Sequence, residues 1–271
     1  MSRLTRGIVT AAALAAVAGA GCRKGIDDQG QIGAAVGEVM ASADDAANGP
    51  PAAAGLTPAA QKAACYPFAF SACNAGVRTE TLDSCTFGPA TVDGTVTLTF
   101  SDTTGCSLAA TGASVNRTAE FTVTGPYGGT LTVTSPGGGQ ILTRTAGGFD
   151  FAVPGMERVL EGPRGNRLFD IATQTTTPLS ITGVSRADFT IVAGTLVVSH
   201  RLAGYNVALT PEDLAWKPTC TCAVSGKLTG KVSGGHADGK SVTVTLTGCG
   251  TADVDVDGDL EPVTLDRCAA I

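Results

Sequence analysis

The sequence predicts a mainly β fold: an antiparallel β-sandwich, or two packed sandwich-like pieces, stapled by disulfide bonds. Three observations support this fold class. Apolar and polar residues alternate with a period of two over many short segments, which is typical of strands with one buried face. Turn signals rich in glycine separate these segments, and 36 of the 271 residues are glycine. The chain also holds nine cysteines, enough for several bridges.

The clearest strand follows Cys85, where Val96, Leu98 and Phe100 alternate with threonines. Threonine suits the exposed face of a strand because it is both β-branched and polar. The same alternation recurs at Phe121 and Val123, Leu131 and Val133, Phe149 and Phe151, Ile181 and Val184, Leu196 and Val198, Val242 and Val244, Val254 and Val256, and Val263 and Leu265. Dipeptides such as Asp238-Gly239 fit the tight turns of hairpins, so we expect the strands to follow one another as antiparallel neighbours.

Eight cysteines are expected to form disulfide bonds: Cys65, Cys73, Cys85, Cys106, Cys220, Cys222, Cys249 and Cys268. Such bonds persist only in an oxidising compartment. A weak internal repeat, in which Asp-Gly precedes Thr/Val alternation and then Gly-Cys, favours Cys85–Cys106 and Cys222–Cys249. Cys65–Cys73 and Cys220–Cys268 would remain, among 105 possible connectivities. The repeat suggests two related pieces, about 85–200 and 201–271, unless the alternation recurs by chance.

The first 21 residues have the composition of a secretory signal peptide. Arg3 and Arg6 precede an uncharged stretch that is too short to span a membrane. The segment Gly19-Ala20-Gly21-Cys22 resembles the lipobox of bacterial lipoproteins, which implies that Cys22 carries the lipid. Removal of Cys22 for lipidation leaves an even number of cysteines. Cleavage after Ala20 is the alternative, because Ala18-Gly19-Ala20 satisfies the small-x-small rule.

Residues 22–57 read as a lipid-anchored tether, rich in Ala, Gly and Asp, that would hold the folded part away from the membrane. Within it, Ile32, Val36, Val39 and Met40 recur at helical spacing and predict a short amphipathic helix at about 31–46. Residues 58–271 would then form the disulfide-bonded β domain. The net charge of −6 argues against nucleic acid as a partner.

The sharpest local pattern places Asp253, Asp255, Asp257 and Asp259 around Gly258, like the start of a calcium loop. Position 12 of such a loop is Thr264 instead of Glu, so the EF-hand pattern is incomplete. The alternative is a hairpin in which the valines face inward, the carboxylates face water and Asp257-Gly258 forms the turn. The calcium site and the hairpin are therefore two alternative hypotheses for this segment. No other cofactor is expected.

The remaining candidate residues have ordinary structural explanations. His200 is expected to be a hydrogen-bonded residue at a strand end, and His236 to lie solvated in a turn. Trp216 is expected to plug the edge of the core. Cys220-Thr221-Cys222 lacks the spacing of a redox motif, which favours two structural bridges. A hydrolase would need one of the two histidines to meet a carboxylate and a hydroxyl.

The chain looks like the exported, Gly/Thr-rich lipoproteins of predatory or gliding Gram-negative bacteria, through its signal segment, tether and β composition. Together with Arg23 after Cys22, this resemblance implies an address at the outer membrane. The sequence therefore predicts a cell-envelope lipoprotein with a structural or adhesive β-sheet module and no catalysis. The alternative is an envelope module that binds calcium or another ligand through residues 253–261. The expected partners are the membrane, through the lipid, and an envelope or surface protein.

Overall fold

The computed structural model describes residues 26–48, 70–87, 89–265, 268 and 270. Within these residues, one α-helix precedes a run of antiparallel strands. The helix is α1 (Ile26–Asn48), and the strands are β1 (Val77–Phe87), β2 (Ala90–Phe100), β3 (Ser114–Thr124), β4 (Thr130–Arg144), β5 (Gly148–Glu161), β6 (Arg167–Thr182), β7 (Thr190–His200), β8 (Tyr205–Trp216), β9 (Ala223–Gly234), β10 (Ser241–Gly248), β11 (Thr251–Val256) and β12 (Asp259–Thr264). A short 3-10 turn, η1 (Gly235–Ala237), lies between β9 and β10.

The prediction of a mainly β, antiparallel, disulfide-bonded fold is confirmed. All twelve strands form one sheet in which each strand pairs with the next along the chain. Because every strand reverses direction, the turns that follow odd-numbered strands lie at one end of the sheet. The sandwich halves of the prediction are therefore parts of one continuous sheet, which runs without a break from β7 through β8 to β9.

The sheet curves around helix α1. The helix contacts β4, β5 and β6 and also β11 and β12. In a flat sheet, β5 and β11 would lie roughly 29 Å apart, at about 4.8 Å per strand, whereas a helix is only about 10–12 Å across. Both groups of strands can contact one helix only if the sheet bends, so α1 lies on the concave face.

The helix is part of the core, which corrects the prediction that this part of residues 22–57 is a tether. Its apolar side chains are buried on several sides, including Ile32, Val36, Val39 and Met40. Small residues let the sheet approach closely: a Cβ on Gly33 would lie 2.6 Å from Cγ2 of Val263. The sequence pattern identified the helix but underestimated its length and its burial. The reason is that contacts through alanine and glycine add little to the apolar periodicity of a sequence.

Polar groups also join the helix to the sheet. The side-chain amide of Gln29 donates a hydrogen bond of 2.7 Å to the carbonyl of Asp259, at the start of β12. At the other side of the helix, Arg158 donates to the carbonyl of Ala34. Nearby on the concave face, the buried guanidinium of Arg117 donates to Oε1 of Gln140 at 2.8 Å. The hydrogen bonds of Gln29 and Arg158 fix the position of the helix along its own axis, whereas that of Arg117 joins β3 to β4.

The disulfide bonds are Cys73–Cys106, Cys220–Cys249 and Cys222–Cys268, and Cys85 is also disulfide-bonded. The predicted pairs Cys85–Cys106 and Cys222–Cys249 are wrong, as is Cys220–Cys268. Cys85 lies near the β1–β2 turn, whereas Cys106 follows the opposite end of β2, next to Cys73. Cys65 lies outside the described residues, but the predicted Cys65–Cys73 bridge is also wrong, because Cys73 pairs with Cys106.

The Cys222–Cys268 bridge lies against the helix. Sγ of Cys222 is 3.7 Å from the carbonyl oxygen of Gly37, and Sγ of Cys268 is 3.8 Å from the same atom. A Cβ on Gly37 would lie 3.0 Å from Cβ of Leu265. The bridge therefore joins the start of β9 to the segment after β12, directly against the middle of α1.

Trp216 is a core residue, as the sequence predicted. Its ring meets Phe189 edge-on at 6.0 Å, and Phe189 meets Phe149 in the same way at 5.9 Å. The indole N–H donates to the carbonyl of Thr221 at 3.4 Å. The three rings form one buried aromatic row between β5, the β6–β7 connection and β8.

We expect Gly139→Ala to destabilise the fold by about 2–3 kcal/mol, because two costs combine there. Gly139 has a φ of +86°, and an added Cβ would lie 2.1 Å from the carbonyl oxygen of Arg117. The left-handed backbone alone costs about 1–2 kcal/mol. Gly165→Ala is the matched control, since its φ is +74° but a Cβ meets no atom within 4 Å. Urea unfolding measures both, and equal losses would contradict the close approach of β3 to β4.

Candidate functional site

The outward face of β1–β4 is covered by threonine side chains, which we call the threonine face. Alternation along each strand and direct pairing between strands place these residues on one side of the sheet. They include Thr79, Thr81, Thr86, Thr91, Thr95, Thr97, Thr99, Thr118, Thr122, Thr124, Thr130, Thr132 and Thr134. The sequence had indicated exposed threonines strand by strand, but only the register shows that they share one surface.

The rows of the threonine face follow the hydrogen-bond ladder. Thr97 lies between Thr79 and Thr118 on the neighbouring strands, and Thr124 lies between Thr91 and Thr130. Neighbours across strands are about 4.8 Å apart, and successive outward residues along a strand are about 6.6–6.8 Å apart. The face therefore offers hydroxyl and methyl groups on a nearly regular grid.

A depression of about 370 Å³ opens on this face. It lies where the register of β3 and β4 shifts between Arg117 and Glu120. Its lining includes Thr97, Thr118 and Thr134 together with Glu120, the only charged residue in it. Oγ of Ser135 accepts a hydrogen bond of 3.0 Å from the backbone N–H of Ala119 and bridges the shifted strands. The depression is lined mainly by hydroxyl groups.

The aspartate segment forms the hairpin that the sequence offered as the alternative to a calcium loop. Asp257 and Gly258 both have positive φ, 59° and 92°, and join β11 to β12 as a two-residue turn. Oδ1 of Asp255 accepts a hydrogen bond of 2.7 Å from the N–H of Gly258. Val254 is fully buried on the other face of the strand. The carboxylate of Asp255 thus stabilises the turn.

The calcium hypothesis rests on Asp253, Asp255, Asp257 and Asp259, and the hairpin does not gather them around one point. In the part of the chain that the structure describes, no group of three or more His, Cys, Asp or Glu residues is arranged to hold a metal ion. Asp253 and Asp255 alternate along one strand, Asp257 lies in the turn, and Asp259 begins the next strand.

We therefore expect millimolar calcium, compared with excess chelator, to leave the melting temperature of the folded chain unchanged. A ligand raises the melting temperature only if it binds the folded state better than the unfolded state. Differential scanning calorimetry of the wild type and of Asp255→Asn is the measurement. A calcium-dependent rise in the wild type that Asp255→Asn abolishes would restore the metal site.

The two histidines take the structural positions that the sequence predicted. His200 ends β7 and is buried, and its Nδ1 accepts a hydrogen bond of 3.1 Å from the N–H of Ala203. Its ring lies 5.2 Å from the ring of Tyr205, the first residue of β8. His236 is exposed in η1. His200 thus helps to shape the β7–β8 turn, and Cys220 and Cys222 belong to two separate structural bridges.

An ion-pair cluster lies where β5, β6 and β7 meet the turns that follow β5 and β7. Arg167 donates a hydrogen bond of 2.6 Å to the buried carboxylate of Asp170, and Arg201 donates to Glu157. The hydrogen bond from Arg201 to Glu157 raises the pKa of the arginine above its ordinary value. Both guanidinium groups are therefore already engaged by carboxylates of the protein.

The proposed lipidation residue, Cys22, and the preceding signal segment lie outside the described residues. Among the residues that the structure does describe, none of the helical segments combines the length and hydrophobicity needed to cross a membrane.

No family model matches the chain, and neither the curated proteins nor the solved structures include a match to it. The class of protein is thus set by the fold itself, a mainly β protein with one disulfide-bonded antiparallel sheet.

Proposed function

We propose that the protein is a cell-envelope lipoprotein, anchored through Cys22 at the outer membrane, whose β-sheet has a structural or adhesive role without catalysis. The threonine face is the observation that carries this proposal. It is broad and polar, it spans four adjacent strands, and its threonine hydroxyls far outnumber the carboxylates of Asp93 and Glu120 that lie among them. A repeated surface of this kind suits contact with another extended surface of the envelope better than capture of one small molecule.

The chemistry of threonine supports adhesion in two ways. Its β-branched side chain has few rotamers, so little conformational entropy is lost when it contacts a partner. Its hydroxyl can both donate and accept hydrogen bonds, and its methyl group adds apolar contact. Because most of the contact would come from hydroxyl and methyl groups, and the charges of Asp93 and Glu120 are its minor part, we expect only a moderate dependence on ionic strength. An envelope or surface protein with a complementary polar sheet or loop is the partner that we propose.

The test of adhesion uses cells of the producing bacterium that lack this protein. We expect them to attach to surfaces or to one another less well, and the wild-type chain to restore attachment. The double variant Thr97→Lys with Thr118→Lys puts two like charges opposite each other on the threonine face and is expected not to restore it. Thr229→Lys with Thr243→Lys is the matched control, because these two residues pair in the same way on β9 and β10. Full restoration by the first variant would contradict the adhesive role.

The anchor has its own test. The chain purified from membranes is expected to carry acyl groups on an N-terminal Cys22, measured by mass spectrometry. Cys22→Ala is expected to release the protein from the membrane fraction. An unmodified N-terminus at Gly21 would show cleavage after Ala20 and would overturn the lipoprotein proposal.

A further inference from the structure

Exposed apolar side chains gather at one end of the sheet. Among the described residues, six large apolar side chains are exposed, and four of them lie in or beside turns that follow odd-numbered strands. We call these four the apolar rim: Tyr127 at 81% exposure, Leu168 at 48%, Leu202 at 49% and Leu260 at 61%. Since the sheet order is consecutive, the β3–β4, β5–β6, β7–β8 and β11–β12 turns all lie at this end.

Helix α1 begins at the same end. Gln29, in its first turns, is hydrogen-bonded to Asp259 beside the β11–β12 turn. Gly33 then lies against Val263, and Gly37 lies against Leu265 and Cys268. The helix therefore runs along β12 from the apolar rim towards the opposite end of the sheet.

The length of the chain before the helix limits the distance between the rim and an anchored lipid. Only three residues lie between Cys22 and Ile26, the first residue of α1. The four steps along the backbone from Cys22 to Ile26 span at most about 14 Å, even when the chain is fully extended. Because α1 is packed in the core and cannot act as a spacer, a lipid on Cys22 would hold the first residue of α1 within that distance of the bilayer surface. The end of the sheet that carries the rim would then face the bilayer.

We infer that the apolar rim docks on the surface of the phospholipid bilayer that holds the Cys22 lipid. This inference rests on the proposed lipid anchor. Apolar and aromatic side chains on turns enter the interfacial region of a bilayer, where burial of apolar area provides the binding. Tyrosine suits this position because its ring is apolar while its hydroxyl stays in contact with water and headgroups.

The charges at the rim indicate neutral phospholipid headgroups. Arg164, Arg167 and Arg201 lie in the four turns of the rim or within one residue of them, as do Glu161, Asp257 and Asp259. The β9–β10 connection at the same end of the sheet adds Lys240 and Asp238. Arg167 and Arg201 are already paired with carboxylates of the protein. The rim therefore presents no excess of free cations for anionic lipids, and its docking should not weaken at high salt.

The test places a tryptophan on the rim of the full-length mature protein, reconstituted through its lipid in phosphatidylethanolamine and phosphatidylcholine vesicles. Tyr127→Trp reports the rim. Val184→Trp is the matched control, since Val184 is 55% exposed in the β6–β7 turn at the opposite end. The buried Trp216 adds the same fluorescence to every variant, and the emission of the wild-type protein gives the size of this background.

Brominated phospholipids quench only a tryptophan that contacts the bilayer. We expect them to reduce the added Tyr127→Trp emission at least about twofold and to leave Val184→Trp unchanged, with the same result in high salt. Leu202→Ser with Leu260→Ser in the Tyr127→Trp background is expected to weaken the quenching. An anchored protein whose Tyr127→Trp is not quenched, or whose Val184→Trp is quenched equally, would overturn the docking while the lipoprotein proposal stands.

The two proposals fail separately. If mass spectrometry finds no lipid on Cys22, the proposed lipid anchor is wrong. The same tryptophan variants, without a lipid, are then added to the same vesicles. Quenching of Tyr127→Trp then supports the rim as a lipid-binding surface in its own right. Its absence overturns the inference.

Discussion

Replacement of Val36 by Asp is expected to lower the free energy of unfolding by about 4 kcal/mol or more. Val36 is fully buried in the middle of α1, within the curve of the sheet. A carboxylate there must either stay charged without water or take up a proton, and both cost free energy. Urea unfolding followed by the fluorescence of Trp216 measures the loss, because this indole lies in the same core.

Gly30→Asp is the matched control for the same helix. A Cβ at Gly30 meets no atom within 4 Å, so the added carboxylate can reach water. We expect this variant to stay within about 1 kcal/mol of the wild type. If Val36→Asp were equally mild, helix α1 would not be docked in the core, and residues 26–48 would behave as the tether that composition suggested.

Removal of the Cys222–Cys268 bridge is expected to have the second large effect, about 4 kcal/mol from chain entropy plus a packing loss. The bridge spans 46 residues, and a loop of that length accounts for about 4 kcal/mol in the entropic model. Cys222 is also fully buried against Gly37 of the helix. We expect the double variant Cys222→Ala with Cys268→Ala to lose about 1–2 kcal/mol beyond the entropic amount.

Cys73→Ala with Cys106→Ala is the matched control, because that bridge spans 33 residues and lies nearer the surface. The entropic model assigns nearly the same loss to both bridges, since the loop length enters only as a logarithm. A larger loss for Cys222–Cys268 then measures its packing under α1. Equal losses would contradict that role, as would full additivity with Val36→Asp, because groups that share one packed region are coupled.

The sequence by itself determined the secondary structure and the class of the fold. Period-two alternation between glycine-rich turns is local, so it identified antiparallel strands before any contact was known. Asp257-Gly258 is an example: its turn depends on two neighbouring residues with positive φ, and the sequence had offered that hairpin as the alternative to a calcium loop. The spacing of Val36, Val39 and Met40 also predicted helix α1, although the predicted helix was shorter than the observed one.

Only the tertiary structure decided what depends on register and curvature. Cys85 and Cys106 are close in sequence, but the β1–β2 hairpin carries them to opposite ends of the sheet. The threonine face exists because the register aligns Thr79, Thr97 and Thr118, and a slip of one residue would turn one strand's threonines inward. The apolar rim exists because four turns that are far apart in the sequence lie at the same end of the sheet. Pairing between strands and bending of a sheet are non-local, whereas the pattern along a chain records only local preference.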